Sequence, residues 1–306
     1  MSTGLHAPVD GRPDPSLLAH SRAAFTVAKA RRKWHWRLEV VASGLALLSA
    51  FIPSGAVAAV AALLSVGAKV LARYKAMQVR ALFRQAERAR RYDFEERTLG
   101  WPVPGRVHAD ALLAFPAEVE DVARELAAKD DDYFAEKGGP SPSRFVWNLA
   151  ESIFWHEKLT EAMATRRARQ LWLASGAILA TLCGLVLVQP SGLLEQAEAK
   201  VWAIVGLKVL GACVSVLVAL DVYGELSAFR RGSRDSRDLL AALEHSLDPP
   251  DREEGLRILI EYNCLLADLP MVPDEMHRKL HSRLNKLWAE ASARMRQPDP
   301  AKTQEA

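Results

Sequence analysis

The chain has 306 residues, half of them hydrophobic, with 40 basic against 37 acidic residues and a formal net charge of +3. So small a charge excludes a chain that is basic throughout, and no nucleic-acid polymer is expected as a partner. Three cysteines, an odd number, argue against a disulfide scaffold or a zinc knuckle. The mean hydropathy of -0.03 is what averaging long apolar segments with charged ones would give.

Residues 1–15 are polar, carry three prolines and two glycines, and are expected to have no fixed structure. Ser16 is placed to cap a helix, which residues 16–37 continue as a cytoplasmic helix leading into the first apolar run. No cleavable signal peptide is expected, since that run starts late and follows a basic helical segment.

Residues 38–72 read as a first transmembrane hairpin, broken at Pro53-Ser54-Gly55. Its arms are short for a hydrocarbon core about 30 Å thick, and the first spans only with Trp34 and Trp36 in the headgroup layer. Residues 171–222 read as a second hairpin, broken at Gln189-Pro190-Ser191-Gly192, with longer arms and Lys208 near the middle of the fourth span. Gly44, Gly67, Gly176, Gly184, Gly206 and Gly211, with Ser43 and Ser175, are expected to supply close helix contacts. The fold class expected is therefore all-α, an integral membrane protein with two transmembrane hairpins and helical cytoplasmic regions. A soluble bundle with two buried apolar hairpins is the other reading.

Charge placement separates the two. Lys29, Arg31, Arg32, Lys33 and Arg37 precede the first hairpin, and Arg73, Lys75, Arg80 and Arg84 follow it. Arg166, Arg167 and Arg169 precede the second, and Arg230, Arg231, Arg234 and Arg237 follow it, while neither turn contains an arginine. That is the positive-inside pattern of hairpins that enter and leave from the cytoplasm, with both termini on that side. The expected location is a bacterial inner membrane.

Residues 73–170 read as a helical cytoplasmic middle region. Arg73, Arg80, Arg84, Arg88 and Arg91 recur at helical spacing and form a stripe. Such a stripe suits anionic lipid headgroups, or a phosphorylated ligand through bidentate contacts. Trp101-Pro102-Val103-Pro104-Gly105 ends the helix, a short helix follows Pro116, residues 129–143 form a loop, and residues 144–169 return to a helical period with His156 on the core face.

Residues 223–296 are expected as a helical cytoplasmic C-terminal region, with residues 297–306 a disordered tail. Its helices are read over 235–247, over the run EEGLRILIEYNCLLADL with Leu256, Leu259, Ile260 and Leu266 on one side, and over DEMHRKLHSRLNKLWAEA with Met276, Leu280, Leu284, Leu287 and Ala291 as its core stripe.

No catalytic constellation emerges. His156-Glu157 lacks the second histidine of a zincin, and there is no phosphate-binding glycine loop. His277 and His281 stand four apart with no third ligand near, so no metal and no cofactor is expected. Lys208 is the exception to the apolar pattern, since a charge at mid-bilayer costs about 2.5 to 3.5 kcal/mol on insertion scales. It reads as a pore-lining residue of an oligomer, or as a lysine that snorkels outward.

With the stretches RRYDFEERTLGWPVP, ESIFWHEKLTEAMATRRARQ and ILIEYNCLLADLPMVPDEMHRKLHSRLNKLW in place, and Val272-Pro273-Asp274 within the last, the layout resembles a known family. It is the four-transmembrane effector family associated with SMODS-type nucleotidyltransferases in bacterial antiphage defence. The resemblance implies a homo-oligomer triggered during infection, for instance by a cyclic oligonucleotide from the associated nucleotidyltransferase, that then disrupts or perforates the membrane. A constitutive channel or transporter, and a non-conducting membrane scaffold or sensor, are the alternatives.

Overall fold

The computed structural model describes residues 15–51, 55–127, 134–188, 206, 221–247 and 250–296. Among these the chain is all-α, with no strand. In order the helices are α1 (Leu17–Phe51), α2 (Gly55–Leu99), α3 (Gly105–Leu113), α4 (Ala117–Ala127), α5 (Pro142–Val188), α6 (Val222–Glu244), α7 (Arg252–Asp268) and α8 (Asp274–Met295). They gather into two compact units: unit 1 holds Met1–Ala30, Val79–Leu159 and Gly232–Ala306, and unit 2 holds Arg31–Gln78 and Thr160–Arg231.

Helix boundaries follow local chemistry. The Ser16 hydroxyl accepts from the Ala19 amide at 3.1 Å and so starts α1. Asp251 does the same for α7, accepting from the amides of Glu253 and Glu254. α2 stops at Gly100, whose φ of +70° an L side chain rarely adopts, just before the Trp101-Pro102 break. Two boundaries differ from expectation. Residues 105–113 form α3, a helix that carries no buried residue, with only Val107, His108, Ala111 and Leu112 partly covered. α6 begins at Val222, well before residue 235.

Unit 1 has two contiguous apolar regions. One joins α1, α2 and α4: Ala23, Ala24, Val27, Val79, Leu82, Ala86, Val119 and Ala123 are buried together, and Ser21 donates to the Ala86 carbonyl at 2.9 Å. The other is built on α5. Phe145, Leu149 and Ile153 are fully buried, and Trp288 of α8 meets both Trp147 and Phe154. Gly255 lets α7 close on this face, since a Cβ there would lie 2.8 Å from the Phe145 ring.

The inward faces of α7 and α8 differ in detail from the sequence reading. Leu259 and Leu266 are buried as expected, but Ile260 is 65% exposed and Ile258 and Tyr262 take the interior. On α8, Met276 and Leu284 are buried with Trp288, while Leu280, Leu287 and Ala291 are only partly covered.

Unit 2 contains the described parts of both apolar stretches, and its packing is inverted. Where α1 meets α2 the buried residues are small: Ala42 and Ser43 on one helix, Ala61, Ser65 and Ala72 on the other. Ser65 donates to the Ala42 carbonyl at 2.9 Å, and the His35 imidazole bonds the Ala72 carbonyl at 3.0 Å. His35 to Ala42 and Ser65 to Ala72 are equal steps taken in opposite directions, which defines an antiparallel hairpin. Large apolar side chains point away from this seam: Leu63 is 72% exposed, and Val57, Val60, Leu64, Val66 and Val70 are exposed with it. Gly44, Gly67 and Gly176 do not form the expected close contacts, since a Cβ at each would meet nothing within 4 Å. Alanine and serine make the seam, the expected Ser43 among them.

Among the described residues no helix is long and apolar enough to cross a membrane. The uncharged part of α1 beyond Glu39 rises roughly 20 Å, short of a core of about 30 Å. Pro53-Ser54, the turn at 189–192, the remainder of the second hairpin with Lys208 and Cys213, the terminus 1–14 and the tail 297–306 lie outside the described residues.

Candidate functional site

Unit 1 holds a partly open pocket of about 350 Å³. It is lined by one face each of α1, α2, α5 and α7, by the segment between α7 and α8, and by the first turn of α8. On α1 the lining residues are Leu18, Ser21, Arg22, Phe25 and Lys29, a helical succession that alternates apolar and polar groups. On α2 they include Phe83, Glu87, Arg90, Arg91, Phe94 and Arg97 at the same period. α5 adds Ser152 and His156, α7 adds Tyr262 and Asn263, and α8 adds Asp274 and His277.

Glu87 pairs with Arg90 at 3.0 Å, Asp93 pairs with Arg97 at 2.9 Å, and Asp274 pairs with Lys29. Each acid in the lining thus has a base beside it. Arg91 Nε is buried with no hydrogen-bond partner among the described residues. Leaving such a group unsatisfied costs free energy, more so for a charged one.

Both histidines are neutral at ordinary pH. Burial, then Arg90 and His277, push His156 down to about 3. Burial, then Lys29, push His277 down to about 4, with His281 and Arg90 adding to the shift and Asp274 opposing it. A neutral imidazole offers one donor and one acceptor. Aromatic rings complete the wall: Phe25 packs edge-on to Phe83 at 5.4 Å, Phe94 to Phe134 at 5.5 Å, and His156 to Tyr262 at 5.8 Å. Tyr262 is anchored by donation to the Ser152 carbonyl at 3.2 Å.

The arginine stripe divides. Arg73, in unit 2, and Arg80, Arg84 and Arg88, in unit 1, are exposed, and only Arg91 turns inward to the cavity. Sequence spacing missed Arg22, Lys29, Arg90 and Arg97, because each sits in a helix rich in arginine and nothing local marks the inward ones. His156 is on an inward face as expected, yet it borders a cavity and not a closed core. His277 and His281 part company: His277 lines the cavity, while His281 lies beside the Trp155 ring at 5.5 Å. Among the described residues no group of three His, Cys, Asp or Glu is placed to hold a metal.

Unit 2 carries a second cluster. Glu225 of α6 accepts from Arg32 of α1 at 2.7 Å and pairs with Arg167 of α5. All three side chains are about a quarter exposed or less, so this bridge is only weakly screened. Trp34, Trp36, Trp172 and Tyr223 are exposed at the bases of the apolar segments, with the Arg37 guanidinium 5.2 Å from the Trp34 ring centre.

Against known proteins, the chain matches no family model, no curated protein and no solved structure.

Proposed function

We propose that the chain is a membrane-disrupting or pore-forming effector of bacterial antiphage defence, acting as a homo-oligomer in the inner membrane with both termini cytoplasmic. The observation that carries this is the inverted packing of unit 2, with small residues at the helix seam and large apolar ones facing outward. In water that arrangement leaves a costly apolar face, whereas lipid covers it at no cost. The exposed Trp34, Trp36, Trp172 and Tyr223 near basic residues suit the headgroup layer.

The shortness of the first hairpin's arms fits disruption. A hydrophobic segment shorter than the hydrocarbon core thins the bilayer around it, at a cost that grows with each ångström of mismatch. Several copies held together would concentrate that thinning at one place, and Lys208 would then line the resulting water-filled path. Triggering is assigned to the cytoplasmic helices, a cyclic oligonucleotide from an associated nucleotidyltransferase being the signal that the family resemblance implies.

The test is depolarisation of bacteria expressing the wild type or Lys208→Leu, each with and without an active nucleotidyltransferase. Signal-dependent depolarisation supports the reading, and its loss in the variant places Lys208 on the path. A membrane that stays polarised in every case, with expression and signal confirmed, removes it.

A further inference from the structure

We propose that Arg80, Arg84 and Arg88, exposed along one face of α2, dock on acidic phospholipid headgroups, so that the contact of this segment with a membrane depends on its content of anionic lipid. The proposal rests on the membrane reading of unit 2 for the presence of a bilayer, and its test reads the two separately.

Two observations carry it. The three side chains are exposed and stand four residues apart, so their guanidinium groups share one helix face at steps of about 6 Å along the axis. The acids of this part of α2 are engaged elsewhere: Glu87 pairs with Arg90, Asp93 pairs with Arg97, and Glu95 lies in the field of Arg91. Among the described residues no carboxylate pairs with Arg80, Arg84 or Arg88. Like charges at this spacing weaken a helix, and an anionic surface relieves that repulsion.

The second observation is what precedes the stripe. At the same helical phase α2 carries Leu63, Val66, Val70 and Met77, all exposed, with Arg73 between the last two. The face thus passes from apolar side chains, which suit hydrocarbon, to three cations, which suit headgroups.

Exposure also selects the occupant. A small soluble phosphate ligand is held in a concave site that covers most of its surface, and none of the three arginines lines the pocket of unit 1. An extended anionic surface needs no such enclosure. Each arginine close to it strengthens binding by about fivefold, so three together give a preference of about a hundredfold for acidic over zwitterionic lipid. Recognition of this kind reads the charge and not the guanidinium fork, so lysine serves in place of arginine.

The experiment uses the full chain with its native cysteines replaced by serine and with Ala81→Cys, an exposed neighbour of the stripe, carrying an environment-sensitive fluorophore. It is reconstituted into vesicles of phosphatidylcholine alone or with about one third phosphatidylglycerol, and quenching by aqueous acrylamide is measured. Quenching should be at least about threefold weaker in the acidic vesicles, and about 1 M salt, which shortens the screening length to about 3 Å, should abolish the difference. Arg80→Gln, Arg84→Gln and Arg88→Gln together should also abolish it, whereas the three lysine substitutions should keep it. Glutamine forms helix as well as arginine does and removes the repulsion, so helicity is retained. The same label at Ile260→Cys, on α7, should show no difference. Equal quenching in both vesicle types at position 81 overturns the proposal and leaves the stripe solvated. So does protection by inorganic phosphate in the phosphatidylcholine vesicles, or loss of the effect in the lysine variant, since either marks a site for a free phosphate ligand. Flotation with phosphatidylcholine vesicles reports the membrane reading by itself. Chains that float with both vesicle types and show equal quenching fail this proposal alone; chains that float only with the acidic vesicles fail the membrane reading and support this proposal; chains that float with neither fail both.

Discussion

The Ser65 hydroxyl donates to the backbone carbonyl of Ala42, 2.9 Å away, and so joins α2 to α1 where both helices present only small side chains. A serine and an alanine at the centre of a helix pair, with leucine and valine outside, is the reverse of how water-soluble helices pack. Enlarging the seam should therefore harm it more than deleting the bond. Ser65→Ala should cost about 1 kcal/mol, in line with interhelical bonds in membranes, and Ser65→Leu about 2 to 3 through overpacking. Thermal unfolding in detergent orders the two. Equal effects would place Ser65 away from a tight seam.

Gly255 and Gly232 give a second comparison, within unit 1. A Cβ at Gly255 would come within 2.8 Å of the Phe145 ring, which is fully buried, whereas at Gly232 it would meet only the end of the Leu269 side chain. The leucine can change rotamer and the phenylalanine cannot. Gly255→Ala should destabilise by about 1 to 2 kcal/mol even after the roughly 1 kcal/mol gained in helix propensity, and Gly232→Ala should be near neutral. Chemical denaturation of both variants is the check.

Helix propensity, capping and periodicity were legible from residues such as Ser16, Val119 and Leu284, because each acts within its own helix. What was not legible depended on partners distant in sequence. The inward turn of Arg91 against the outward turn of Arg88 follows from where α1, α5 and α7 meet α2, and their spacing alone treats the two alike. Ile260 looked like a core residue for the same reason: its helix has apolar groups on more than one side, and Gly255 decides which side closes on Phe145. The seam of unit 2 was read as glycine and serine; Ser43 is buried there, but the described glycines are not at close contacts, and Ala42, Ala61, Ser65 and Ala72 supply the rest.

Glu225 bridges two arginines, and removing its charge leaves both guanidinium groups together in a poorly hydrated place. Glu225→Gln should destabilise by about 2 kcal/mol, less than the 3 to 5 typical of a fully buried pair because these side chains keep some solvent contact. Arg32→Gln should cost less, since Arg167 still pairs with the carboxylate. Melting of the two variants in detergent tests the order, and the reverse order would remove Glu225 as the centre of the cluster.

The two cavity histidines make stability depend on pH. Their folded values, about 3 for His156 and about 4 for His277, lie below the ordinary 6.5. Between those values and 6.5 the unfolded chain binds more protons than the folded one, so stability is fully present above about pH 6.5 and falls as pH drops through that window. Each imidazole contributes at most about 1.4 kcal/mol per pH unit, His277 less because it keeps partial solvent contact. Glu95, whose burial raises it, opposes this near its own range. His156→Leu should flatten the fall in melting temperature between pH 7 and 5. An unchanged slope would mean that His156 is hydrated.

The most direct test of the account asks what covers the outward face of unit 2. Leu63 and Ile260 are apolar residues of similar exposure, one in each unit. With the native cysteines replaced by serine, Leu63→Cys and Ile260→Cys are each labelled with an environment-sensitive fluorophore in chains reconstituted into lipid vesicles, some of which carry a quencher on the acyl chains. The account predicts a blue-shifted, quenched signal from position 63 and an unshifted, unquenched one from position 260. A water-like, unquenched signal at position 63 would contradict it.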